Sequence, residues 1–166
     1  MKNNYLIHAT IYTDGSCHTQ HLAGAWVAIV FVGDDKFQMS GIELNTTHHR
    51  MELTAVIKAI EYIQDEHLAI KSLVIYTDSQ YVVGLQQRRG KITAPGYVSK
   101  KGNALQNADL VNRLFTLSNK FTIDLVKVKA HQIENESNTY NIEADMLSRT
   151  LVREVVKERF TWPHQS

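Results

Sequence analysis

Two short stretches of the chain echo one another: Tyr12-Thr13-Asp14-Gly15-Ser16 and Tyr76-Thr77-Asp78-Ser79-Gln80. Each puts an aspartate at the carboxyl end of a segment with strand character, where open α/β sheets place their ligand sites. Side chains alternate with a period of two along a strand, so each aspartate shares the face of the tyrosine two residues before it. Pairing of the two strands then brings the carboxylates together. Glu52 is a third candidate, because it falls three and four residues before Ala55 and Val56 on a helical stripe that faces the sheet. A carboxylate in such a place is normally protonated, paired or bound to metal. The fourth, Asp145, lies on the last helical segment in line with Val152. Converging carboxylates form a hard oxygen site suited to Mg²⁺ or Mn²⁺. Two such ions about 3.5–4 Å apart activate water and stabilise the leaving oxygen in phosphodiester cleavage. Metal-assisted hydrolysis is therefore the expected chemistry. Taken singly, each acid has a plainer role: Asp14 and Asp78 as turn caps, Glu52 as a partner of Arg50 or Lys58, Asp145 as a solvated helix residue. Capping leaves the inward-facing Glu52 unexplained.

The elements that must carry these residues follow from periodicity. Residues 5–13 are rich in β-branched and aromatic types and stop at the turn signal Asp14-Gly15-Ser16. Residues 23–32 form a second, well-buried strand, Gly33-Asp34-Asp35 a hairpin turn, and residues 36–44 a third strand. Capping hydroxyls at Thr46 and Thr47 precede a helix from Arg50 onward. A strand over 73–77, helices over 79–87 and 109–118, a strand over 121–129 and a helix over 141–158 complete the order βββαβααβα. Strands followed by strand–helix alternation imply a mixed sheet flanked by helices with right-handed crossovers.

With 166 residues, 43% hydrophobic and 21% charged, the chain suits one globular domain, its core over about 5–156 and a short tail after it. Cys17 is the sole cysteine, which excludes an intramolecular disulfide and a multi-cysteine zinc ribbon and fits a reducing compartment. The amino terminus lacks a signal-peptide pattern, and no apolar run approaches the roughly 18 residues of a membrane span, so a cytoplasmic protein away from membranes is expected. Net charge is only +1, but between Asp78 and Asp109 no acid occurs while Arg88, Arg89, Lys91, Lys100 and Lys101 add five cations. That composition suits sequence-independent phosphate contact; five phosphate contacts give a log–log salt slope of about −4 to −5. Gly90, Pro95, Gly96 and Gly102 punctuate this long connection, and Tyr97 is its one obvious aromatic for sugar contact.

The chain resembles type 1 ribonuclease H over nearly its whole length. The resemblance rests on Thr13-Asp14-Gly15-Ser16, on Thr47 followed by Arg50-Met51-Glu52-Leu53, and on Thr77-Asp78-Ser79-Gln80-Tyr81-Val82. It is completed by Val128-Lys129-Ala130-His131 and by Asn141 four residues before Asp145. It implies a five-stranded mixed sheet, three strands antiparallel and then two parallel, and endonucleolytic cleavage of the RNA strand of RNA–DNA hybrids. By motif match, Asp14, Glu52, Asp78 and Asp145 become the metal-binding catalytic carboxylates, holding two Mg²⁺ or Mn²⁺ ions with substrate bound. His131 matches a mobile-loop histidine implicated in proton transfer or product release. The implied partner is the hybrid itself, with no obligatory protein partner and a monomeric state.

Some positions depart from the family pattern. Where asparagine and then Asn or Gln usually follow Thr47 to contact the hybrid, His48 and His49 stand here. A histidine still donates to a base edge or phosphate, but its charge makes binding pH-dependent near neutrality. Gln20 replaces a common asparagine in the first hairpin loop, the connection from His131 to Asp145 is longer than usual, and the Trp-rich helix of well-known bacterial forms is absent. Selectivity for RNA must come from the 2′-hydroxyl, with Gly15, Ser16, Gln20 and Gln80 as its expected readers. Alternatives are a hybrid-binding module of weak activity and the nuclease domain of a reverse transcriptase; the start at Met1 favours a stand-alone enzyme. A zinc site from His18, His21, His48 and His49 is disfavoured because these histidines lie on separate loops.

Overall fold

The computed structural model describes residues 8–67, 69–96, 105–130, 134–135 and 138–160. Five strands, β1 (His8–Cys17), β2 (Gly24–Val32), β3 (Asp35–Glu43), β4 (Ser72–Thr77) and β5 (Thr122–Lys127), form one sheet in the order β3-β2-β1-β4-β5. The first three pair antiparallel through a two-residue turn at Gly33 (φ 59°) and the loop after Cys17. β4 and β5 join in parallel, as the expected mixed sheet requires. The helices are α1 (His48–Glu66), α2 (Gln80–Gln87), α3 (Arg89–Ile92), α4 (Ala108–Ser118) and α5 (Thr139–Phe160). Among the described residues no helix is long and apolar enough to cross a membrane.

The larger core lies between the sheet and α1, α2 and α4. Ile11, Leu53, Ile60, Leu73, Ile75, Leu85 and Leu117 are all essentially sealed from solvent there. Each such side chain stabilises the fold by about 1.5–3 kcal/mol relative to exposure. On the opposite face α5 covers β1 and β2 through a smaller cluster of Val27, Ile29 and Ala144. Helices on both faces therefore fix the sheet from two sides, and the ends of β1 and β4 open between α1 and α5.

The structure corrects four local expectations. β1 does not stop before Asp14; it runs on through Asp14↔Val27 and Gly15↔Trp26 to Cys17. Gly15 is a close-packing glycine instead of a turn residue, since a Cβ there would collide with the backbone of Met51 and Glu52. α1 starts two residues earlier than its apolar period suggests, because the Thr47 hydroxyl accepts from Arg50 N at 3.2 Å and closes the first turn. A one-turn helix, α3, follows α2 directly, where no element was foreseen. Cys17 is half-buried, its thiol directed to the carbonyls of His18 and Thr46.

Candidate active site

The parallel pairing of β1 with β4 sets Tyr12 against Tyr76 and Thr13 against Thr77. The two tyrosine rings stack at 5.0 Å with 12° between their planes, on the face that α5 partly covers. One alternation further along each chain come Asp14 and Asp78, as the near-repeat implies. α5 brings the third acid: Ser148, buried beneath it, donates to Asp14 Oδ2 at 2.7 Å, and Asp145 stands one turn earlier on the same helix. Asp14, Asp78 and Asp145 line one cavity of about 210 Å³, together with Asn138, Asn141, Lys129 and Arg149.

Burial first, and then the charge of Asp78, push the Asp14 carboxyl up to about 7; the Ser148 hydrogen bond opposes this, and Asp145 adds to it. Asp78 is raised as well, by burial and then by the charges of Glu52 and Asp145, against a hydrogen bond with Asp14. Asp145 is tied at its rim by Arg149, Nη2 to Oδ2 at 2.6 Å.

Glu52 sits on the other side of this group, where Gly15 lets α1 approach β1. Its Oε1 faces His48 Nε2 at 2.7 Å, and its Oε2 receives the Ser79 hydroxyl at 2.5 Å and faces His49 Nδ1 at 3.2 Å. Ser79 is held for this role as the N-cap of α2, accepting from Val82 N at 3.1 Å. His49 stacks on Tyr81 at 4.2 Å. Burial pushes the Glu52 carboxyl up, but the hydrogen bonds from His48 and Ser79, with the charge of His48, outweigh it and leave it below its usual range. The same contact raises His48 against the cost of its burial. Arg50 is not the partner of Glu52: two residues away on the helix, it points elsewhere and forms a bidentate pair with Asp109 at 3.0 and 2.8 Å.

The donor set for a divalent ion is all hard carboxylate oxygen, the type Mg²⁺ and Mn²⁺ prefer. Among the described residues no three such side chains are yet closed around one point. The three aspartates are nevertheless confined to one cavity, where burial first and neighbouring acids second raise Asp14 and Asp78, while Arg149 is taken up by Asp145 at the rim. That gathering of acids fits a divalent cation.

The remaining candidates fall into three groups. Asn141 lines the cavity, and Gln80 is exposed at the start of α2, two residues beyond Asp78. Gly15 and Ser16 continue β1 beyond Asp14. Gln20 is exposed in the loop between β1 and β2, where His18 Nδ1 accepts from the Gln20 and His21 amides at 3.3 and 3.1 Å. That loop is braced from outside by His21 stacking on Phe160 at 4.3 Å. Thr47 spends its hydroxyl on the helix cap, and His48 and His49 both turn toward Glu52.

In the basic segment Arg88 and Lys91 are exposed, whereas Arg89 is pinned to α4. Its guanidinium donates to Phe115 O at 3.0 Å and to Asn119 Oδ1, and lies over the Phe115 ring. Tyr97, Lys100, Lys101 and His131 lie outside the described residues. Sequence reasoning quoted Ser79 and Lys129 within motifs without giving them a site role, and passed over Ser148 and Arg149. Ser148 did carry a signal, as a hydroxyl on the otherwise apolar line of Ala144, Val152 and Val155.

A five-stranded mixed sheet with helices on both faces and acids gathered where its parallel central strands end defines an α/β protein with a carboxylate-lined cavity. The chain belongs to the ribonuclease H family, whose model matches residues 7–153. It is 35% identical over 146 residues to a protein named ribonuclease HI of Caulobacter vibrioides, covering 87% of this chain and 93% of that one. It is 31% identical over 145 residues to a ribonuclease H of Moorella thermoacetica, covering 86% and 90%. It is 34% identical over 143 residues to a ribonuclease H of a Wolbachia strain, covering 86% and 93%. The family is one of nucleases, which hydrolyse phosphodiester bonds.

Proposed function

We propose that this chain is an endonuclease that hydrolyses the RNA strand of RNA–DNA hybrids, working as one domain with Asp14, Glu52, Asp78 and Asp145 as its catalytic carboxylates. The observation that carries the proposal is the burial of Asp14 beside Asp78 and Asp145 in one cavity, an arrangement of like charges that costs stability unless a cation offsets it. On this reading Asp14, Glu52, Asp78 and Asp145 would hold two Mg²⁺ or Mn²⁺ ions. Ions held there would supply Lewis-acid polarisation of the phosphodiester and a lowered pKa for water. Glu52 is kept ionised by His48 and Ser79, so it presents negative charge at neutral pH without first losing a proton. His131 moves a proton or clears product. Arg88, Lys91, Lys100 and Lys101 take phosphates, while Arg89 anchors the start of that segment to α4. Gly15, Ser16, Gln20 and Gln80 read the 2′-hydroxyl, and Thr47, His48, His49 and Asn141 border the strands. The enzyme acts as a cytoplasmic monomer without an obligatory protein partner.

The test is incubation of the purified chain with end-labelled RNA–DNA hybrid, duplex DNA and single-stranded RNA, each with Mg²⁺. Cleavage of the RNA strand of the hybrid alone, abolished by chelation, is the expected result. An intact RNA strand in a stable complex would instead make the chain a binding module.

A further inference from the structure

The buried residues of α5 are Ala144, Ser148, Val152 and Val155, and Ser148 is the one hydroxyl among these four. Packing alone would be served by alanine, which is also the better helix former. The hydroxyl is sealed from solvent, and two acceptors lie within its reach: Asp14 Oδ2 at 2.7 Å and the Asp145 carbonyl at 3.0 Å. A serine has one proton to give. The Asp14 oxygen is the nearer acceptor, at 2.7 against 3.0 Å, and a carboxylate takes the stronger, charge-assisted bond, so the proton goes to Asp14.

We propose that Ser148 is a positioning residue for the cation site, fixing the Asp14 carboxylate on its α5 side and fastening the turn of α5 that carries Asp145 to the end of β1. This rests on the hydrolytic reading above. The geometry makes the role specific. Asp14 belongs to a strand locked on both sides by β2 and β4, whereas Asp145 rides on a helix that meets the sheet only through side chains. The Ser148 bond is a direct polar link between these two acid-bearing elements, and it converts the rigidity of β1 into a defined spacing of the two acids. Outer partners of metal-binding carboxylates act in this way, and their loss typically weakens metal binding or activity about 10- to 100-fold.

The experiment compares wild type, Ser148→Ala and Ser148→Thr. Mn²⁺ uptake by hybrid-free protein is followed through the paramagnetic resonance signal of free Mn²⁺, and hybrid cleavage is followed against Mg²⁺ concentration. Ser148→Ala is expected to keep its urea midpoint, to weaken Mn²⁺ binding about tenfold or more, and to raise the Mg²⁺ needed for half-maximal cleavage in proportion. KM for hybrid at saturating Mg²⁺ should stay unchanged, and Ser148→Thr, which keeps the hydroxyl, should recover most of the affinity. Wild-type Mn²⁺ affinity and Mg²⁺ requirement in Ser148→Ala would overturn the positioning role and leave the hydrolytic reading standing. Failure of the wild-type chain to take up Mn²⁺ would overturn both.

Discussion

Asp14 and Glu52 meet at the same end of the sheet and are equally hidden from solvent, at 7% and 6% relative exposure, yet their affinities for a proton move in opposite directions. Burial raises both, so burial does not explain the difference. Neighbours do. Around Glu52 the chain supplies its own donors: two imidazoles from the first turn of α1 and the hydroxyl that caps α2. Around Asp14 it supplies more acids, opposed by one serine and the Gly15 backbone. One half of the site is matched by its own donors; in the other, acids outnumber the cations, with Arg149 committed to Asp145 at the rim. A buried acid in a sequence thus announces a polar site, but only its surroundings say whether it is a finished ion pair or an open ligand.

The sharpest way to break that comparison is to neutralise each half in turn. Asp14→Asn removes a ligand oxygen's charge from the unfinished half, and cleavage should fall by on the order of 10³-fold or more under saturating Mg²⁺. Turnover within a few-fold of wild type, measured on labelled hybrid, would remove Asp14 from the catalytic set.

The same substitution has a second, opposite effect on the fold. The folded protein binds the Asp14 proton more tightly than the unfolded chain does, with a pKa of about 7 against 3.8. Its contribution is therefore complete below about pH 4 and is lost as pH rises through about 7. Metal-free wild type should lose stability across that window by about 2–4 kcal/mol, and Asp14→Asn should lose much less. Urea unfolding at a series of pH values in chelator reads this directly. Mg²⁺ at pH 8 should raise the Tm of wild type more than that of the variant, because the ion binds the native charge. Parallel pH profiles for the two proteins would mean that the acids are neutralised by some other group.

Local pattern carried much of this site. The Tyr-x-Asp repeat, read with a period of two, placed Asp14 and Asp78 side by side, and the Tyr12–Tyr76 stack records the register that does so. Glu52 stood out because its helical phase pointed it inward, and it is indeed buried. What was illegible involves partners far apart in the chain. Ser79 reaches Glu52, Ser148 reaches Asp14 and Arg50 reaches Asp109 only after the sheet and helices have packed. Arg89 likewise looked like one of five interchangeable cations until α4 claimed it through Phe115. Gly15 misled for a related reason: a glycine after aspartate signals a turn in isolation, but here the missing Cβ is needed by a helix that arrives later in the sequence.

The smallest expected effect sharpens the comparison from the finished half. His48 is raised by its bond to Glu52, so its stabilising contribution is full below the ordinary histidine value of 6.5 and fades as pH climbs through the higher folded value. Glu52 is lowered, so its contribution is present above 4.5 and is lost only as pH drops through the lower folded value. The pair is therefore strongest between these limits, near pH 5–6.5, where the Asp14 half is already losing ground. His48→Asn removes the charge from this pair while Ser79 and His49 still hold Glu52. The His48 ring is more than half exposed, which screens the interaction, so the loss near pH 6 should be about 0.5 kcal/mol and should shrink toward pH 9. Cleavage at pH 8 should change by less than about threefold, since Glu52 remains ionised without the imidazole. Urea midpoints at pH 6 and pH 9 decide the matter. An equal loss at both would show that His48 acts by packing, and the contrast between a charge-complete and a charge-deficient half would then rest on Ser79 and His49 alone.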